Sequence, residues 1–239
     1  MERIILIETS TALCSTALAE NGQITSYRES CAPKAHASLT AVFIQEMLAE
    51  RNLSLNDCDA VCISKGPGSY TGLRVGVSTA KGLCFGSEKP LLAVGTLDTL
   101  VAQASGEGIS GQTGNDGANG NEWKYIIPMI DARRMEVYAA VFTPDGRQIT
   151  ETAPSIIDEN SFAEYLAEGP VLFIGDGAGK CADVLKHPNA SFCQCHPKAS
   201  SMLNPAIAAY KEKRFEDVAY FEPFYLKEFV ATVSKKKLF

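Results

Sequence analysis

The sequence predicts an α/β protein made of two copies of one unit, each a mixed β-sheet with helices packed on it. Three observations carry that prediction. The order of apolar strands, polar turns and helical stretches in the first half recurs in the second. The spacing recurs as well: Glu8 precedes Gly22 by fourteen residues, and Asp131 precedes Gly146 by fifteen. Between the copies, Ser105 to Glu122 holds six of the nineteen glycines and almost no apolar side chains, so it cannot offset its own ordering entropy and is expected to be a flexible interlobe loop.

The elements follow in order. Arg3 to Ile7 is a short apolar strand closed by Glu8, and the polar turn Thr9-Ser10-Thr11 leads to a strand over Ser15 to Ala19. Glu20-Asn21-Gly22-Gln23 then makes a hairpin turn into Ile24 to Arg28. A helix over Ser38 to Arg51 precedes a buried strand, Ala60 to Lys65, which ends at Gly66-Pro67-Gly68; a helix, the strand Leu91 to Val94 and a further helix complete the copy. In the second copy, Tyr125 to Ile130 closes on Asp131, Ala132-Arg133-Arg134 is the turn, Glu136 to Phe142 the next strand, and Pro144-Asp145-Gly146-Arg147 turns into the third. A helix over Asn160 to Glu168, a strand over Val171 to Ile174 ending at Gly175-Asp176-Gly177, a helix, the strand Ser191 to Cys195 and a last helix follow. Three hairpin-linked strands and then alternating helix and strand specify a mixed sheet, present twice. This layout resembles the actin, hexokinase and Hsp70-type (ASKHA) superfamily. The expected division is an N-terminal lobe over 1–104, completed by about 215–239, the glycine-rich loop 105–122, and a C-terminal lobe over 123–214.

The 239 residues are 46% apolar and 21% charged, enough to bury a sizeable core. Twenty-two basic against 28 acidic side chains leave a net charge of −6, which disfavours unaided binding to a phosphate backbone. The basic run Lys235-Lys236-Lys237 reads as a solvated tail. There is neither a signal peptide pattern nor an apolar run long enough to span a membrane, so a cytoplasmic location is expected. Eight cysteines at irregular spacings, most within apolar runs, read as small buried hydrophobes in a reducing compartment. His187, Cys193, Cys195 and His196 form the one ligand-like cluster, but without a Cys-x-x-Cys knuckle the spacing favours a strand ending at His196-Pro197, and no metal is expected.

Two helices carry more apolar or small surface than one core requires. Leu39, Ala41, Phe43, Ile44, Met47 and Leu48 span an arc of about 200°, roughly twice the stripe that meets one core. After the glycine segment, Gly72, Gly76 and Ala80 fall on one stripe at four-residue spacing, flanked by Leu73 and Val77. Small residues let another helix approach closely, so Leu39, Phe43, Met47, Gly72, Leu73, Gly76, Val77 and Ala80 are expected to form a face for a protein partner or for self-association. The glycine segment is neither a Walker A loop nor a dinucleotide fingerprint.

Ser64 to Leu83, read S-K-G-P-G-S-Y-T-G-L-R-V-G-V-S-T-A-K-G-L, closely resembles the signature of the bacterial TsaB (YeaZ) family, smaller paralogues of TsaD in the former glycoprotease family. Asp131-Ala132-Arg133 with Glu136-Val137-Tyr138 is similar to that family's second signature, and Pro223-Phe224-Tyr225-Leu226-Lys227 to its closing motif. The resemblance implies a component of the machinery that places a threonylcarbamoyl group on the adenosine beside the anticodon of tRNA. It further implies a heterodimer with a TsaD-type paralogue that carries the chemistry and a TsaE-type ATPase in the larger complex. The acidic balance adds the expectation that tRNA is met only through that complex, and an orphaned docking face the expectation of a homodimer when the chain is alone at high concentration.

In the superfamily, phosphates lie against the two strand-turn-strand hairpins, with acids near the turns. Here Glu8, Thr9 and Ser10 stand at the first turn and Asp131 and Arg133 at the second; both acids are kept and both glycines are missing, so the turns read as degenerate phosphate sites. No catalytic residue is assigned, and ATP or ADP is expected to bind only weakly or at the partner interface. The alternatives are an autonomous actin-like ATPase or phosphotransferase and, more distantly, a zinc peptidase, which the lack of a His-x-x-x-His pair opposes.

Overall fold

The computed structural model describes residues 2–106 and 123–226. Most of the glycine-rich loop and the Lys235–Lys237 run therefore lie outside the described residues; the loop's first two residues, Ser105 and Gly106, end a helix instead.

The first half forms β1 (Arg3–Glu8), β2 (Cys14–Glu20), β3 (Gln23–Ser30), α1 (Ala35–Glu50), β4 (Ala60–Ser64), α2 (Tyr70–Ser87), β5 (Leu91–Val94) and α3 (Thr96–Gly106). The second forms β6 (Tyr125–Asp131), β7 (Glu136–Ala139), β8 (Ala153–Ile156), α4 (Ala163–Glu168), β9 (Val171–Gly175), α5 (Ala178–Cys181), β10 (Ala190–Gln194) and α6 (Leu203–Lys211). The two sheets have one topology, β3-β2-β1-β4-β5 and β8-β7-β6-β9-β10. In each, the first strand is central, antiparallel to its hairpin partner and parallel to the strand that follows the helix. This is the duplicated actin-like α/β fold expected from the repeat.

Differences are local. α1 begins three residues before the expected Ser38. β7 stops at Ala139 rather than Phe142, which instead bridges Ile126, and β8 starts only at Ala153. Pro154 sits in β8, an edge strand, where a missing N–H costs no ladder bond.

Central strands of this kind are apolar on both faces and need cover on both. On one face of the first sheet, Ile44, Met47 and Leu48 of α1 and Val77, Ala80 and Cys84 of α2 pack on Ile5, Ile7, Val61 and Ile63. The other face, with Ile4, Leu6, Cys62 and Leu92, is covered by Ala199 and Met202 from a 3-10 turn and by Ala206 and Ala209 of α6. On the second sheet, Leu97, Leu100, Val101 and Ala104 of α3 pack on Ile126, Ile130, Leu172 and Ile174. Sequence order places α3 with the first copy and α6 with the second, but the packing exchanges them. Each sheet borrows a helix from the other half, which ties the halves together. Residues after α6 return to the first sheet: Glu216 bridges Leu91, Lys81 Nζ donates to the carbonyls of Ala219 (3.0 Å) and Phe221 (3.1 Å), and Phe224 N donates to Lys65 O at 2.7 Å. Among the described residues, no helix is long and apolar enough to cross a membrane.

Candidate functional site

β1 ends in Glu8 and β6 in Asp131, equivalent positions of the repeat, and the turns that follow face one cleft of about 720 Å³. Ser10, Thr11, Tyr70, Asp131, Arg133 and Tyr225 are among its lining. The carboxyl ends of parallel strands are where α/β folds place ligands. The tertiary fold thus brings Ser10, Asp131 and Arg133 together, while Glu8 and Thr9 sit behind the cleft wall.

The first turn is clamped by α2. Ser69 N donates to Ser10 O at 2.6 Å and Thr9 Oγ1 to Gly72 O at 2.9 Å. The helix comes so close that a Cβ at Gly68 would lie 2.3 Å from Ser10 O, one at Gly72 2.1 Å from Thr9 O, and one at Gly76 2.1 Å from Thr9 Oγ1. His36, from the first turn of α1, secures the other side, its Nε2 donating to Thr11 O at 2.9 Å.

The small-residue stripe therefore has a different purpose from the one expected. Gly72, Leu73, Gly76, Val77 and Ala80 are buried, facing the β1–β2 turn and the sheet, as is Met47 of α1. They cannot meet a partner, because their own sheet needs that face. Leu39 and Phe43 are half-buried beside them. The outward face of the helix pair is formed instead by Ala41, Val42 and Gln45 on α1 and by Ser78, Gly82 and Phe85 on α2; the Phe85 side chain is 84% exposed.

Glu8 is fully buried; Oε1 accepts from Ser10 N at 2.6 Å and Oε2 has no partner. Burial pushes its carboxyl up to about 7, against hydrogen bonds from Ser10 that favour the ionised form. The folded value lies above the unfolded 4.5, so the folded state binds more protons and stability falls as pH rises from about 4.5 to 7. Glu8→Gln is expected to remove this fall, leaving the variant more stable than the parent above pH 7 by about 3 kcal/mol. Urea midpoints across that pH range check it; identical pH slopes would refute it.

The second turn is more open. Asp131 is half exposed, Lys180 Nζ contacts its Oδ1 and also donates to Glu136 O at 2.7 Å, and Arg133 N donates to that same Oδ1 at 2.8 Å. Arg133 and Arg134 both adopt left-handed backbone, at φ 72° and 51°, where a glycine would be unstrained. Asp131 N donates to Asp176 Oδ1 at 2.9 Å, and burial raises the Asp176 carboxyl. Lys180→Ala is expected to leave Asp131 without a cationic neighbour at a cost below about 1 kcal/mol, read from a thermal melt.

Sequence reasoning missed the aromatic rim. Tyr70 and Tyr225 rings lie 5.0 Å apart, and Arg74 donates to the Tyr70 hydroxyl at 2.9 Å with its guanidinium 5.3 Å from the Tyr70 ring centre. Both tyrosines lie in the quoted signatures, but nothing local says that the closing motif returns to the glycine segment. Among the described residues, no group of three or more His, Cys, Asp or Glu is placed to hold a metal; Cys193 and Cys195 pack beside α3 instead.

A family model described as "TsaD: tRNA N6-adenosine threonylcarbamoyltransferase" matches residues 29–235. The Escherichia coli K12 protein named "tRNA threonylcarbamoyladenosine biosynthesis protein TsaB" is 30% identical over 236 residues, 96% of each chain. The Bacillus subtilis protein of the same name is 27% identical, covering 94% of this chain and 93% of its own. A solved structure from Pseudomonas aeruginosa, described as an uncharacterized protein with similarity to peptidase YEAZ, superposes with a TM-score of 0.80 at 26% identity, over 95% of this chain and all of its own.

Proposed function

Because the chain belongs to the TsaB (YeaZ) family, we propose that it acts in tRNA threonylcarbamoyladenosine biosynthesis as a noncatalytic subunit that binds and supports a TsaD-type transferase. The observation that carries this reading is the outward face of α1 and α2. Phe85 stands 84% exposed and Val42 40%, among the small or polar residues Ala41, Gln45, Ser78 and Gly82. A large apolar side chain exposed on a helical surface, with Arg74 and Glu46 also exposed on the two helices, fits a protein interface with a charged rim. The same face would pair two copies of the chain in the absence of the transferase.

The state of the two turns supports the noncatalytic part. Glu8 is sealed beneath the first turn, where it cannot reach a ligand in the cleft, and Asp131 is engaged by Lys180. The net charge of −6 fits a subunit that meets tRNA through its complex, in the cytoplasm where that complex works, with a TsaE-type ATPase as a further member. Co-purification with a TsaD-type transferase, followed by a tRNA modification assay with and without this chain, tests the reading. The expected result is a one-to-one complex and modification that requires the chain; modification at the same rate without it would overturn the proposal.

A further inference from the structure

Two carboxyl groups are buried among the described residues, and their surroundings are opposite. Glu20 is paired with Arg3 and Arg51, each at 2.9 Å, and the Arg3 hydrogen bond holds its carboxyl below the usual range. Glu8 makes no ion pair among the described residues: Oε1 accepts from Ser10 N at 2.6 Å, Oε2 has no hydrogen-bond partner, and the residue is 0% exposed. A charge buried without a counter-ion costs far more than the neutral acid, so the closed first turn favours the protonated form.

The groups around Glu8 supply no cation. On β2 and β4 the Cys14 and Cys62 thiols are buried, and burial first, then the Glu8 charge, pushes both up. The Arg214 charge opposes that push at Cys62 but forms its own ion pair with Glu212. From α1, His36 bonds to Thr11 O rather than to the carboxyl. α2 meets the turn with Gly72 and Gly76, and α3 presents Thr96, whose hydroxyl is engaged by Ser64. The Ser10 and Ser64 hydroxyls favour the ionised form, but burial outweighs them.

The cover over Glu8 is one turn thick. Ser10 and Thr11 separate it from the cleft, which both line. Three bonds hold that turn down: Ser69 N to Ser10 O at 2.6 Å, Thr9 Oγ1 to Gly72 O at 2.9 Å and His36 Nε2 to Thr11 O at 2.9 Å. Raising the turn wets the carboxylate and leaves the second core packed.

We propose that the proton on Glu8 is a latch on the first turn: with it the turn stays clamped against α2, and its loss releases the turn into the cleft. Once released, the carboxyl is hydrated and titrates near its ordinary 4.5, whereas clamped it titrates at about 7. The clamped state therefore binds the extra proton, and the ratio of clamped to released turn falls about tenfold per pH unit between those limits and is level outside them. The cleft wall is thereby pH-sensitive just below neutrality. This goes beyond the partner reading and does not depend on it, since the isolated full-length chain is the test sample.

Native-state amide hydrogen exchange, corrected for the intrinsic rate at each pH, reads the latch at Ser10, Ser69 and Gly72. From about pH 5 to 7 their protection is expected to fall about a hundredfold, with little dependence on low urea because a local opening exposes little surface. Amides of Ile127 and Phe173 in the second core are expected to stay better protected and to depend steeply on urea. Glu8→Gln should leave the turn amides level across the same range, and the parent's own slope requires no variant to fold. Turn amides that exchange only together with Ile127 and Phe173, a level parent, or a slope that persists in Glu8→Gln and so belongs to another group such as His36, would each overturn the proposal.

Discussion

Gly72→Ala is expected to destabilise the protein by about 3 kcal/mol or more, a large part of the 5–15 kcal/mol typical of a folded domain. A Cβ at this position would stand 2.1 Å from Thr9 O, a backbone atom that cannot rotate away, since the Thr9 side chain is itself bonded to Gly72 O at 2.9 Å. Relief requires α2 to lift from the β1–β2 turn, which unpacks Val77 and Ala80 from Ile63 and breaks the Ser69 N to Ser10 O bond. Gly82 is the internal control. It lies on the same helix with nothing within 4 Å of its added Cβ, so Gly82→Ala is expected to stabilise by up to about 1 kcal/mol through helix propensity alone. Urea denaturation of both variants reads the contrast, and equal effects at the two positions would rule out the clamp.

Phe85→Glu is expected to weaken association with a TsaD-type transferase by at least about thirtyfold, the equivalent of losing one aromatic anchor from an interface. Its ring is 84% exposed and makes almost no contribution to the core, so the free chain should melt within about 0.5 kcal/mol of the parent. Val77→Glu distinguishes surface from core: Val77 is 5% exposed within the cluster that includes Ile5 and Ile63, and a charge there should prevent folding instead. Titration of the complex by fluorescence anisotropy, beside a thermal melt of each free variant, separates the two effects. Undiminished association in Phe85→Glu would move the interface to another surface.

The proposed partner face shows where sequence reasoning stops. The arc on α1 and the small residues on α2 were legible, but most of both is buried against the sheet and the β1–β2 turn. Which part of that surface turns outward was not legible. Periodicity ranks positions around a helix axis but does not say where the sheet lies, and Gly72, Gly76 and Ala80 would form the same stripe against a helix or against a turn. The contact with Thr9, some sixty residues earlier, decides between them. Likewise, Glu8 and Asp131 were legible as equivalent acids, whereas the burial of one and the ion pair of the other arise from α2 and α5, which the repeat alone does not orient.

By itself the sequence determined the duplicated mixed-sheet unit, because strand and helix periods and turn glycines are local properties that recur at matching spacings. It also determined family membership, through signatures continuous along the chain. Only the tertiary structure decided that α3 and α6 cross over to cover each other's sheets, that the glycine stripe seals the first turn, and that Tyr225 returns to Tyr70 at the cleft. These outcomes depend on which faces must be buried together, and burial is settled by contacts between segments far apart in sequence.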